Sequence, residues 1–144
     1  MCAAHSPSVG QVHERQEALT IPFRFASGRG SILIQARVSG RAALLILDTG
    51  SSHTILMPSI AGVNRAGLAA PRIDAGIIGD AVAREVTLQV GECVIQRHRV
   101  SVMDLSNALS AYREKIDGLL GIEFLLRFSQ ANFDWKARSI TFIL

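Results

Sequence analysis

The residue best placed for chemistry is Asp48, which follows the apolar run at residues 42–47 and begins a turn of small residues. A carboxylate at the end of an apolar strand costs free energy unless hydrogen-bond donors satisfy it. The hydroxyl groups of Thr49 and Ser51 and the backbone N–H of Gly50 are such donors, and glycine lets the chain turn sharply around the acid. An isolated Asp-Thr-Gly usually ends a strand, but the apolar run before it and the Ser-Ser pair after it favour a functional carboxylate.

A second informative segment lies at residues 116–125, with the sequence Ile-Asp-Gly-Leu-Leu-Gly-Ile-Glu-Phe-Leu. The apolar pair Leu119 and Leu120 is followed by Gly121, which has no Cβ and can pass very close to another backbone. A short helix is expected directly after this glycine, so the segment is predicted to line or support a cleft.

In this order, the two segments resemble the pepsin and retropepsin aspartic proteases. In that family, a hydrophobic strand ending in Asp-Thr-Gly is followed by a flap hairpin, an apolar-apolar-Gly strand and a short helix. The resemblance covers residues 31–144 and is closest to the single-lobe, retropepsin-like proteases of cellular origin. Glu123 departs from the family pattern of Asp, Arg-Asp or Arg-Asn, which leaves the helix cap and the dimer salt bridges open. The flap also lacks a Tyr of the pepsin kind.

The resemblance implies an aspartic endopeptidase that hydrolyses extended polypeptides. Two carboxylates share one proton in this chemistry, so that one activates water and the other polarises the carbonyl. The chain has one Asp-Thr-Gly, and we therefore expect the second carboxylate to be Asp48 of another copy, in a two-fold homodimer. By the same resemblance, Thr49 would bond across the axis and Ser51 would hold the outer carboxylate oxygen, although both could simply cap their own turn. The apolar strands around the cleft favour cleavage beside apolar side chains.

The other acids compete poorly as partners of Asp48 within one chain. Asp117 precedes the Leu-Leu-Gly strand as a turn residue, and Asp74 and Asp80 flank the expected flap. Asp104 and Asp134 lie at predicted strand ends, where ordinary turns explain them.

The expected flap is a hairpin over residues 73–82 whose glycines would let it fold over a peptide substrate. Its predicted substrate-contacting residues are Ala75, Gly76, Ile77, Ile78 and Gly79. An ordinary hairpin turn is the alternative interpretation of this segment.

Metal, cofactor, nucleic-acid and membrane functions are disfavoured. His5, His13, His53 and His98 lack metal-ligand spacing, and the last two are expected in strands. The net charge is only +3, and its densest basic cluster, residues 97–99, is predicted to be a solvated strand face. The longest hydrophobic run has six residues, too few for a membrane span.

The remaining sequence predicts one all-β domain at residues 18–144, a small closed barrel with one short C-terminal helix. Strands are expected at 19–26, 31–38, 42–47, 71–78, 82–90, 94–102, 131–135 and 139–144. A loose helix or a loop is expected around Leu105, Leu109 and Tyr112, and a short, firmer helix over 122–127.

Residues 1–17 are predicted to be a flexible leader without the hydrophobic region of a signal peptide, which slightly favours the cytoplasm. Cys2 followed by two alanines would also suit the first residue of a mature lipoprotein in the cell envelope.

Two rival functions share the predicted barrel. One is a non-catalytic dimeric binding module, and the other is a monomeric β domain in which Asp48 is only structural.

Overall fold

A computed structural model describes residues 17–64, 73–74, 77–78 and 81–144. The expected leader and the flap residues Ala75, Gly76 and Gly79 therefore lie outside the described residues, apart from Glu17. The strands are β1 (Ala18–Pro22), β2 (Arg24–Phe25), β3 (Ile32–Val38), β4 (Arg41–Leu47), β5 (Ile55–Leu56), β6 (Ile73–Asp74), β7 (Ile77–Ile78), β8 (Val82–Val90), β9 (Cys93–Val102), β10 (Gly118–Leu120), β11 (Gln130–Asp134) and β12 (Ser139–Ile143). The helices are α1 (Pro58–Ala61), α2 (Ser106–Leu109) and α3 (Ile122–Leu125).

Six strands close into a barrel in the order β3, β4, β10, β5, β9 and β8. Closure comes from a second pairing of β3, in which Arg37 and Val38 lie opposite Gln89 and Leu88 of β8. The inward side chains form one apolar core, and Val38 and Leu88 have no exposed surface. A closed barrel leaves no free edge among these strands, so the predicted all-β barrel is confirmed.

β10 lies between β4 and β5, and this insertion positions the candidate site. It runs parallel to β4, with Leu119 opposite Ile46, and antiparallel to β5. Gly118 makes the fit possible, because a Cβ at this residue would lie 2.2 Å from the carbonyl oxygen of Ile55. Strand β5 can therefore pair with β10 so closely only because position 118 has no side chain.

A separate three-stranded sheet, in the order β1, β12 and β11, packs through aromatic side chains against α3. The ring of Phe142 on β12 stacks on Phe128 at 4.7 Å between centroids and meets Phe124 of α3 edge-on at 5.6 Å. This contact fixes α3, and with it the residues that follow β10.

Most predicted strands and both predicted helices are found, with shifted bounds. The expected strand at 19–26 divides at Phe23, whose N–H donates to the carbonyl of Arg138 in the turn before β12, whereas Arg24 and Phe25 pair with β3. The two-residue strand β5 has no counterpart in the sequence prediction. No helix of the described residues is long and apolar enough to cross a membrane.

Candidate active site

Asp48 directly follows β4 and is held in place by backbone hydrogen bonds. Its N–H donates to the carbonyl of Leu120 at 2.9 Å, which continues the pairing of β4 with β10 by one residue. The N–H of Gly50 donates to Asp48 Oδ1 at 2.9 Å, as expected from the sequence. The N–H of Ser51 donates to the Asp48 carbonyl at 3.2 Å. The carboxylate is thus oriented by a tight turn, and Asp48 itself is only partly buried.

The hydroxyl of Ser51 makes a different bond from the one expected. It donates to the carbonyl of His53 at 2.6 Å, so it braces the turn instead of holding an Asp48 oxygen. Thr49, directly after the acid, is exposed. His53 was expected in a strand but lies in the loop before β5, with its Nδ1 2.8 Å from the hydroxyl of Ser52.

Gly121 packs against the far end of this turn, as the sequence predicted for a glycine that passes close to another backbone. A Cβ at Gly121 would lie 2.4 Å from the carbonyl carbon of His53 and 2.6 Å from its oxygen. The next residue, Ile122, donates its N–H to the carbonyl of Ser51 at 2.9 Å. The two segments singled out in the sequence are therefore in direct contact.

Three residues that sequence reasoning did not place in the site join the same contact. Thr54 is fully buried, and its hydroxyl accepts the Gly121 N–H at 3.2 Å. Glu123 Oε1 accepts the Thr54 N–H at 2.7 Å and lies 3.2 Å from Nε2 of His98. The departure of Glu123 from the family pattern was the one sequence signal that pointed here.

His98 is buried, with 4% of its surface exposed, and this corrects the prediction of a solvated face at residues 97–99. Arg97 and Arg99 are exposed as expected. The difference arises because β9 is irregular at Arg97, which has a φ of 51°, opposite a register shift in β8. Such a bulge moves the alternation of inward and outward side chains by one residue, so that position 98 points inward.

The environment of Glu123 favours its charged form. Burial opposes ionisation and by itself would raise the pKa, but hydrogen bonds from His98 and from Thr54 outweigh it and lower the pKa. Glu123 Oε2 is buried without a hydrogen-bond partner among the described residues. Among the described residues, Thr54 and His98 therefore stabilise the negative charge of Glu123 through Oε1.

Three other aspartates have structural partners of their own. Asp117 Oδ2 accepts the N–H of Leu44 at 2.9 Å, and Asp134 Oδ1 accepts two N–H groups of its own turn. Asp104 Oδ1 accepts the N–H of Ser106 at 3.0 Å. The side chain of Asp74 and the whole of Asp80 lie outside the described residues. Within the described part of the chain, no cluster of three or more acids, histidines or cysteines could hold a metal ion.

A cavity of about 260 Å³ adjoins the turn that carries Asp48. Its lining comprises Gly50, Ser51, Ser52, His53, Ile55, Ala81, Ser101 and Met103. Ala81 directly precedes β8, so the cavity lies between the turn and the base of the segment expected to be a flap. A larger depression of about 460 Å³ is lined by Ala42, Leu44 and Asp117, among others, but by no residue of the turn.

The expected flap is a hairpin where it is described. β6 and β7 pair antiparallel, with Ile73 opposite Ile78 and Asp74 opposite Ile77. On β10, Leu119 is partly buried and packs against the cluster that contains Ile46, whereas its neighbour Leu120 is fully buried. Of the predicted pair, Leu120 belongs to the core and Leu119 lies at its margin.

The chain is similar to one protein family and to several solved structures. The aspartyl protease family matches residues 34–124. A retropepsin-like aspartic protease from Rickettsia conorii is similar over 88% of this chain and 90% of its own, with 18% identity and a TM-score of 0.59. The EIAV protease complexed with the inhibitor HBY-793 is similar over 82% and 92%, with 14% identity and a TM-score of 0.44. The retroviral protease-like domain of Ddi1 from Leishmania major is similar over 78% and 92%, with 15% identity and a TM-score of 0.47. No curated relative matches the chain. The Rickettsia structure shows that the barrel is retropepsin-like.

Proposed function

This chain belongs to the aspartyl protease family, and we propose on that basis that it is an endopeptidase whose reactive carboxylate is Asp48. The observation that carries the proposal is the geometry of the turn. β10 fixes the backbone of Asp48, and Gly50 orients its carboxylate through Oδ1. Asp48 is partly exposed directly after β4, and the cavity lined by Gly50 and Ser51 adjoins the same turn, so an extended polypeptide can approach the acid.

The proposed enzyme is a homodimer, because peptide hydrolysis by carboxylates requires two of them. Asp104, Asp117 and Asp134 are engaged elsewhere in their own turns and strands. A two-fold axis beside Asp48 would bring in the second carboxylate from another copy. The exposed Thr49 lies next to Asp48 and would face the partner, consistent with the role that the resemblance implies.

In this dimer, the two Asp48 carboxyl groups share one proton. Like charges so close cannot both ionise, so one pKa rises and the pair supplies an acid and a base together. The ionised carboxylate takes a proton from water, the resulting hydroxide attacks the peptide carbonyl, and the protonated carboxyl donates to the carbonyl oxygen. In the tetrahedral intermediate, the carboxyl that took the water proton gives it to the peptide nitrogen, the other carboxylate takes a hydroxyl proton back, and the C–N bond breaks as the carbonyl re-forms. We expect activity on the acid side of neutrality, with loss as rising pH removes the shared proton. Closure of the hairpin that contains Ile77 and Ile78 would exclude water from the cleft.

The test compares wild-type protein with Asp48→Asn, which preserves size but cannot act as the base. Asp134→Asn is the matched control, because an amide oxygen can still accept the two turn N–H groups at that position. We expect Asp48→Asn to fold and dimerise normally while losing peptidase activity, and Asp134→Asn to retain it. Sedimentation equilibrium gives the mass, and circular dichroism reports the fold.

Mixed dimers test the shared site directly. If each active centre needs Asp48 from both chains, only dimers of two wild-type subunits are active. An equilibrated equal mixture of wild type and Asp48→Asn then retains about one quarter of the activity of wild type at the same total concentration. Retention of about one half would show that each chain acts alone. If wild type is inert towards all peptides across pH while remaining dimeric, the non-catalytic binding module replaces this proposal.

A further inference from the structure

We propose that His98 and Glu123 form a positioning pair, which holds the active-site turn at residues 48–54 in its reactive shape from inside the same chain. The inference rests on the proposed function, since it assigns His98 a role in positioning Asp48. It concerns a strand, β9, that contributes none of the sequence-predicted site residues.

The geometry links the pair to the turn through one oxygen atom. Glu123 Oε1 accepts the Thr54 N–H at 2.7 Å, and His98 Nε2 lies 3.2 Å from the same oxygen. Thr54 is the last residue of the turn, and its hydroxyl accepts the N–H of Gly121 at 3.2 Å. A shift of Glu123 would therefore release the turn at Thr54 and disturb its contact with Gly121.

Burial makes these bonds consequential. The side chain of His98 is 3% exposed, that of Glu123 is 24% exposed, and Thr54 is fully buried. Water cannot readily replace a donor lost at such a site, so a polar group left without its partner is strongly disfavoured. Glu123 Oε2 has no partner among the described residues, and Oε1 therefore carries the polar contacts that orient this carboxylate.

The irregularity of β9 points to a specific role for His98. A regular strand that continued the alternation of Cys93 and Ile95 would direct position 98 to the solvent. The bulge at Arg97 reverses this, and it does so with a positive φ of 51°, which is unfavourable for a residue with a side chain. The unfavourable backbone conformation of Arg97 is thus what directs His98 towards Glu123.

The experiment replaces His98 with Leu, which fills space but cannot donate, and with Gln, whose amide can. Glu85→Gln is the matched control on the neighbouring strand, since it breaks the exposed ion pair with Arg97 and leaves the buried pair intact. Amide hydrogen exchange at Thr54 is measured relative to the β3 amides. We expect His98→Leu to accelerate Thr54 exchange by about 10-fold more than β3 exchange, with largely restored protection in His98→Gln.

Steady-state kinetics supplies the second measurement. Loosening of the turn misplaces Asp48 in the transition state, so kcat should fall by about 10-fold or more in His98→Leu while KM changes little. Glu85→Gln should match wild type in exchange and in kinetics. If His98→Leu does not fold, Glu123→Asp is used, because it keeps the charge but shortens the side chain by one methylene group.

The possible outcomes separate this inference from the proposed function. Equal acceleration of Thr54 and β3 would show a purely global stability effect and would overturn the pair, as would unchanged Thr54 exchange. A loosened Thr54 with unchanged kcat in an active enzyme would also overturn it. If Thr54 loosens as expected but wild type has no peptidase activity, the pair fixes the turn and the proposed protease function fails.

Discussion

Substitution of Gly121 by alanine tests how tightly the two segments of the site fit together. A Cβ at this position would lie 2.4 Å from the carbonyl carbon of His53, whereas ordinary van der Waals contacts begin at 3.4 Å. The backbone would have to separate by the difference, 1.0 Å, unless bond angles absorb part of it. Movement of Glu123 Oε2, 2.3 Å from the same Cβ, would not relieve the clash, because the obstructing His53 atoms belong to the backbone.

The expected cost follows from this geometry. Overpacking of a well-packed interior typically costs about 1–3 kcal/mol, and we expect the upper end because the clash is with backbone. For a chain of 144 residues, a loss of about 3 kcal/mol lowers Tm by about 10 °C. The His53 carbonyl accepts a hydrogen bond from the Ser51 hydroxyl, so its displacement would also shift the turn that carries Asp48. A misplacement of about 1 Å can reduce catalysis by about 100-fold, which is the loss of kcat/KM expected here.

Gly30→Ala is the matched control, because a Cβ there would meet no atom within 4 Å and the backbone is not in the left-handed region. Urea denaturation gives the free energy of unfolding of both variants, and peptide hydrolysis is measured well below their melting temperatures. We expect Gly30→Ala to match wild type within about 0.5 kcal/mol. If Gly121→Ala is as stable and as active as Gly30→Ala, the close approach of β10 to the turn does not position Asp48.

Three further predictions use other parts of the site. Thr54→Val removes the buried acceptor of the Gly121 N–H and should lower the free energy of unfolding by about 1–3 kcal/mol, whereas Thr87→Val, at an exposed hydroxyl, should have little effect by the same urea assay. The pKa of Glu123 is lowered on folding, so the contribution of this carboxylate to stability is complete above its ordinary pKa of 4.5 and is lost as pH falls through the folded value. The difference in unfolding free energy between wild type and Glu123→Gln should therefore shrink between about pH 6 and about pH 3. A constant difference would contradict the assignment. Leu47 directly precedes Asp48 at the end of an apolar strand and is partly exposed, so a peptide library should show apolar residues beside the cleaved bond. A preference for charged residues on both sides of that bond would exclude this.

The sequence predicted the features that depend on local order. An apolar run that delivers Asp48 into a glycine turn is visible in neighbouring residues, and so is the pair of leucines before Gly121. These patterns were sufficient for the all-β barrel, the turn and the close approach of Gly121 to another backbone. The bond from Gly50 to the carboxylate follows from the turn itself, because donor and acceptor are two residues apart.

The remaining features depend on contacts between distant residues. β5 is too short to show a periodic pattern, and it exists because β9 and β10 pair with its two sides. His98 points inward because of the bulge at Arg97, and alternation alone predicts the opposite face. The Ser51 hydroxyl donates to the carbonyl of His53 at 2.6 Å, because the loop places this carbonyl beside it. A family sequence pattern does not specify the shape of that loop.

Hydrogen bonds within one chain hold the turn at residues 48–54. Leu120 holds Asp48, Ile122 holds Ser51, and Glu123 holds Thr54, so three nearby residues fix the two ends and the middle of the turn. A second copy would then add the missing carboxylate without reshaping the first. This reasoning predicts that dilution below the dimer dissociation constant abolishes peptidase activity while the Thr54 amide keeps its slow hydrogen exchange.

The neighbouring Thr49 provides the internal contrast for that measurement. It is exposed in the single chain and would be covered in the proposed dimer, so its amide should gain protection only on dimerisation. Exchange of both amides is followed over a concentration series, with sedimentation reporting the fraction of dimer. If Thr54 loses its protection in parallel with Thr49, the partner chain shapes the turn. In that case, the bonds from Leu120, Ile122 and Glu123 are insufficient to hold it, and the reactive geometry is a property of the dimer alone.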